Sequence, residues 1–134
     1  MLPTDASIQF LVCESAREEK DNKVSLVGIF PDRNLRLPAD ARFPAAFPVT
    51  LVFFVLDGEG QFNGTVEIKT SIPQQPPISA TLPNIQKAAD QPATITLAFM
   101  PFIAAGFGTY EVILTLNNQS YTRLFEVTPA PKTA

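Results

Sequence analysis

Apolar and polar residues alternate with period two through most of this chain, the spacing of strands that bury one face. The clearest instance is 61–70, where Phe62, Val66 and Ile68 fall on one side and Asn63, Thr65, Glu67 and Lys69 on the other. Residues 93–100 set Ile95, Leu97 and Phe99 against Thr94, Thr96 and Ala98. Residues 109–116 align Tyr110, Val112, Leu114 and Leu116, and 119–128 align Tyr121, Arg123, Phe125 and Val127. Two segments depart from simple alternation. Residues 49–56 are apolar except for Thr50 and rich in β-branched and aromatic side chains, which predicts a central strand covered on both faces. Residues 7–14 are also apolar on both faces, with Ile8, Phe10 and Val12 on one and Leu11 and Cys13 on the other. Residues 24–30 close a hairpin with them, and Gly28 marks a bulge or a close backbone approach.

Proline supplies the punctuation. The chain has 13, and a proline cannot donate to a strand ladder. Between Pro31 and Pro48 only a short edge piece at 34–37 is expected, with Leu35 and Leu37 inward. A short strand is expected at 78–82, then a connection at 83–92 with a helical turn at 84–89. A second helical turn is expected at 14–20, where the charged run lacks an apolar stripe. The sum is all-β: a two-sheet antiparallel sandwich of about seven to eight strands, immunoglobulin-like, as a single domain at 1–128 with a flexible tail at 129–134. No 10–15-residue helical pattern supports a doubly wound fold.

Three stretches carry a resemblance: Phe10-Leu11-Val12-Cys13-Glu14, then Lys23-Val24-Ser25-Leu26-Val27-Gly28-Ile29-Phe30, and Gly108-Thr109-Tyr110. With these the chain resembles a family of small bacterial all-β proteins of unknown function. The resemblance implies a β-sandwich and transfers no catalytic residue.

Composition narrows the chemistry. At 46% apolar and 17% charged, the sequence belongs to a globular class. A net charge of −3 argues against nucleic acid as a partner, which needs a basic footprint. The first residues lack a positive stretch leading into an apolar run, and no apolar run approaches the ~18–20 residues of a membrane span. A cytoplasmic protein without membrane attachment is expected. Histidine is absent and Cys13 is the single cysteine, which removes His-based triads, Cys–His dyads and internal disulfides. No cofactor and no metal is expected, and no catalytic residue is assigned.

The remaining candidates each have a plain structural reading. Cys13 lies in a strand without an activating neighbour and reads as a small buried apolar side chain. Asp57-Gly58-Glu59-Gly60 offers two carboxylates, too few for calcium, and makes a hairpin turn. Glu67, Glu111 and Glu126 take outward strand positions rather than forming a hydrolase pair. Asn118-Gln119-Ser120 matches a glycosylation acceptor but sits in a hairpin turn. Arg33, Arg36 and Arg42 could grip an anion, or could pair with Asp32 and Asp40.

The apolar run Met100-Pro101-Phe102-Ile103-Ala104-Ala105-Gly106-Phe107 is the most unusual feature, because loops are ordinarily polar. It predicts either a plug under the sandwich or a contact patch centred on Phe102, Ile103 and Phe107, through which a second copy or a protein partner would bind. On the contact reading, Phe102→Asp would leave the fold intact and weaken association. The expected function is therefore a non-enzymatic protein-interaction or structural module. The alternative is a small-ligand or carbohydrate-binding sandwich, whose signature would be a concave pocket with aromatic and polar groups together.

Overall fold

In a computed structural model describing residues 1–131, the alternating segments form nine strands: β1 (Ile8–Glu18), β2 (Val24–Ile29), β3 (Asn34–Leu37), β4 (Ala45–Val55), β5 (Gly60–Lys69), β6 (Ile78–Lys87), β7 (Ala93–Ala104), β8 (Gly108–Leu116) and β9 (Gln119–Pro129). A 3-10 turn at Asp5–Ser7 precedes them. Among the described residues no helix is long and apolar enough to cross a membrane. The strands make a four-stranded sheet, ordered β2-β1-β4-β7, and a five-stranded sheet, ordered β3-β9-β8-β5-β6. All pairings are antiparallel except β3 with β9, which is parallel, so the second sheet is mixed rather than wholly antiparallel.

The sheets pack face to face because the period-two apolar faces meet. Val12, Leu51 and Phe53 of the first sheet share one core with Val66, Val112, Leu114 and Phe125 of the second. Tyr110 and Phe125 stack at 5.1 Å between ring centroids, and Phe102 meets both edge-on at 5.6 and 5.7 Å. Such edge-on and offset arrangements suit the ring quadrupole. The Tyr110 hydroxyl donates back to the Gly106 carbonyl at 3.0 Å, fixing the corner between β7 and β8.

The strands run past the prolines expected to end them. β4 contains Pro48, β6 contains Pro83 and β7 contains Pro101. Two register shifts explain this. Between Phe47 and Val49 the β4–β7 ladder shifts, placing the extra residue in β7 around Met100 and Pro101. Between Phe62 and Gly64 the β5–β6 ladder shifts, placing the extra residue in β6 around Pro83 and Asn84. β6 and β7 are edge strands, where a bulge leaves proline's missing donor without a partner to disappoint. The helical turns expected at 84–89 and 14–20 are therefore strand: β6 continues to Lys87 and β1 to Glu18. The tail expected from residue 129 is strand at its first residue. Pro129 pairs with Leu37 in β9, and Ala130 N–H bonds to the Leu37 carbonyl; residues 132–134 lie outside the described residues.

One hairpin leaves the sandwich plan. β1 pairs with β4 only up to Cys13–Thr50, then pairs with β2 alone. Its tip residues Glu18, Glu19, Asn22, Lys23 and Val24 share a groove with Thr94 and Thr96, which point out of the first sheet opposite Ile95. Past Cys13 the hairpin leaves the β4 ladder, and the Thr50 hydroxyl donates to the Glu14 carbonyl at 3.3 Å where they part. Cys13, Thr50 and Val52 alternate with the core residues of their strands and are buried as well.

Candidate functional site

The residues singled out in the sequence do not converge. Phe102 is 1% exposed and lies in the core, so the run from residue 100 to 104 is strand rather than loop. The β7 bulge resets the alternation, turning Phe102 and Ala104 inward and Ile103 outward. Phe102 therefore offers no surface to a partner, and the segment is a sheet strand rather than a loop plugging the sandwich; Phe102→Asp is expected to unfold the domain. Ile103 is 44% exposed and Met100 72%, while Phe107 is half-buried against Phe43 in an edge-on contact at 4.8 Å.

Arg33, Arg36 and Arg42 are all exposed. Arg36 Nη2 bonds to Asp32 Oδ2 at 2.6 Å, and Arg33 is a left-handed turn residue. Among the described residues no hydrogen bond or ion pair joins the three arginines. The Arg36 guanidinium holds the Asp32 carboxyl below the ordinary carboxylate range.

The acidic turn has an internal use. Asp57 accepts from Thr4 N–H at 2.8 Å, Thr4 Oγ1 at 2.6 Å and Ser7 Oγ at 2.5 Å. Those bonds to Ser7 and Thr4 hold its carboxyl below the ordinary range. Both oxygens are thus occupied by the segment leading into β1. Cys13 Sγ donates to the Ser15 carbonyl at 3.3 Å, and burial pushes its thiol up, opposite to the shift a nucleophile requires.

The concave surfaces lie where a sandwich is open, along its two flanks. On one flank the β6 and β7 edges and the β1–β2 hairpin tip enclose a groove of about 810 Å³. Its walls carry Thr94, Thr96, Gln61, Asn84, Gln86 and Gln91, with Leu82 and Ile95 beneath. Lys87 lines it and is 3% exposed, with Nζ donating to the Gly58 carbonyl at 3.2 Å and the Ala88 carbonyl at 2.5 Å. No carboxylate lies within ion-pair distance of this ammonium among the described residues. No aromatic ring lines the groove. Neither β6 nor β7 has a strand on its outer side, so alternate backbone N–H and C=O groups of both edges point outward.

Sequence reasoning missed this groove because it ended β6 at Leu82. Lys87, Gln86 and Asn84 then fell in a connection. The alternation of Ile85 with Gln86 and Lys87, read after a one-residue bulge at Pro83, was the available signal.

No protein-family model matches the chain, and no curated protein does. Among solved structures it is similar to a β-glucosidase from Listeria innocua in complex with glucose, at a TM-score of 0.43 and 11% identity. The same enzyme without the sugar gives 0.39 and 12%, and with gluconolactone 0.38 and 11%. Each alignment covers 90% of this chain and 16% of the other, so the chain spans about one-sixth of that enzyme's length. Similarity at this level assigns no function.

Proposed function

We propose that this protein is a non-enzymatic interaction module that takes an extended peptide segment into the groove between β6 and β7. The observation that carries the reading is two edge strands flanking one polar groove, each with unpaired backbone groups. Such edges accept an added strand, main-chain bonds giving affinity and alternate side-chain positions giving selectivity. Beyond the bulge, the four residues 84–87 along one wall span roughly 13 Å, the length of about four extended residues. The hairpin tip limits the groove on a third side, where Glu18, Glu19, Lys23 and Val24 would face the ligand. The absence of histidine and the buried, unactivated Cys13 favour binding over catalysis. A saccharide is the second reading, favoured by the amides of Asn22, Gln61, Asn84, Gln86 and Gln91, which suit hydroxyl groups. The bare polar walls, without a ring for a sugar face to stack on, favour the peptide.

The same proposal includes an immunoglobulin-like arrangement within the sandwich. It is supported by β3 running parallel to the last strand and by the tyrosine at the start of β8 bonded back to the preceding corner. Kinship with the small bacterial all-β family belongs to this proposal on the strength of the sequence stretches at 10–14, 23–30 and 108–110, and a cytoplasmic setting on the single cysteine. Outward Met100 and Ile103 are the part of the 100–107 run left for a second copy or a protein partner.

Panning a random dodecapeptide phage library on the protein tests the reading. Enriched peptides should bind the wild type and bind Thr96→Trp, which fills the groove, at least about tenfold more weakly at an unchanged unfolding midpoint. No enrichment, or peptides indifferent to Thr96→Trp, would overturn it.

A further inference from the structure

The opposite flank of the sandwich carries a second, chemically different concavity. It encloses about 330 Å³ between β1, β3, β4 and the end of β2, and its walls are Phe30, Leu35, Leu37, Phe47 and Pro48. Two charged side chains complete it, Glu14 and Arg36. Their situations differ. The Arg36 guanidinium is engaged by both Asp32 carboxylate oxygens, at 2.6 and 3.4 Å, so its charge is already matched. The Glu14 carboxylate has no hydrogen bond or ion pair among the described residues.

Glu14 is nevertheless held in place. Its side chain lies flat on Gly28, where an added Cβ would come within 2.7 Å of Cδ and 2.8 Å of Cγ. Gly28 also has a φ of +67°, a left-handed conformation that side chains disfavour. The missing side chain is what makes room for the carboxylate beside Phe30. The flank thus presents an apolar, partly aromatic wall with one unmatched negative charge at its rim.

We propose that this flank binds a small organic cation, an alkyl- or arylammonium compound. Its hydrocarbon part would sit on Phe30, Leu35, Leu37, Phe47 and Pro48, and its ammonium group would face Glu14. An anion finds no free partner here because Asp32 occupies the fork of Arg36. A neutral polar ligand leaves the apolar walls unused. The cation gains from both, through the carboxylate and through the negative faces of the two phenylalanine rings. The volume stands at the small end for ligand sites, which suits an amine rather than a large cofactor. The inference concerns the other flank and does not depend on the peptide groove.

Titration of the isotope-labelled protein with phenethylammonium, 3-phenylpropan-1-ol and 3-phenylpropionate tests it by amide chemical shift. The cation should give saturable shifts at Leu35, Leu37 and Phe47, bind roughly tenfold more tightly than the alcohol, and leave the propionate without effect. Glu14→Gln, at an exposed position, should keep the unfolding midpoint and erase the preference of the cation over the alcohol. Equal binding of cation and alcohol to the wild type would contradict the proposal. So would a preference that survives Glu14→Gln, tighter binding of the propionate, or no saturable shift with phenethylammonium.

Discussion

At the scale of single residues, three side chains carry more of the structure than their types announce. Phe102 joins the sheets: it contacts Phe47 and Phe99 within the first and Tyr110 and Phe125 of the second. Phe102→Ala is expected to cost about 3–5 kcal/mol in urea unfolding, because the cavity is bounded by rings that cannot collapse into it. Its neighbour Ile103→Asp should change stability by no more than about 0.5 kcal/mol, since that side chain faces solvent. Tyr110 contributes packing and one bond to the Gly106 carbonyl, so Tyr110→Phe isolates the bond and should cost about 1 kcal/mol. Asp57 titrates differently folded and unfolded. Its folded pKa is depressed, so its stabilisation is present above the unfolded value and is lost as pH falls through the folded one. Stability measured from pH 6 to pH 2 should therefore fall less steeply in Asp57→Asn than in the wild type. Asp32, also depressed, keeps the variant's slope from vanishing.

At the scale of elements, legibility in the sequence depended on bulges. β5, β8 and β9 carry no inserted residue and lie within a residue or two of their expected bounds, because their alternation is unbroken and their turns carry Gly or Asn. β1 outruns its expected end by four residues because its charged half has no apolar alternation to read. Strands with a bulge were cut short at its proline. Period-two reasoning assumes constant phase, and one inserted residue inverts it. For this reason constant alternation predicts a loop at Phe102 and a connection at Lys87. Parallel pairing of β3 was also hidden, since a four-residue alternation says nothing about its neighbour's direction. Pro83→Ala should alter the urea midpoint little, since β6 is an edge strand at that point. Deleting Pro83 should also be tolerated, because removing the extra residue restores unbroken alternation with Leu82, Ile85 and Lys87 still on the inward face.

At the scale of the molecule, the two sheets leave two open flanks, and both concavities lie there. One is polar and bordered by edge strands; the other is apolar with a single unmatched carboxylate. Neither could be composed from the sequence, because each draws on strands far apart in the chain. The first brings residues 18–24 beside 82–96, and the second brings residue 14 beside 30–48. Residue types were informative mainly by exclusion, through the missing histidine and the solitary buried cysteine. The central claim is that the β6–β7 groove is the surface on which a peptide adds as a strand. Amide hydrogen exchange of the protein with and without a peptide recovered by panning tests it most directly. New protection is expected at outward-pointing amides of β6 and β7, within 84–87 and 93–96, with unchanged exchange in β3 and β9. Protection confined to the β3 flank, or shifts in the groove without any slowing of edge amides, would contradict it.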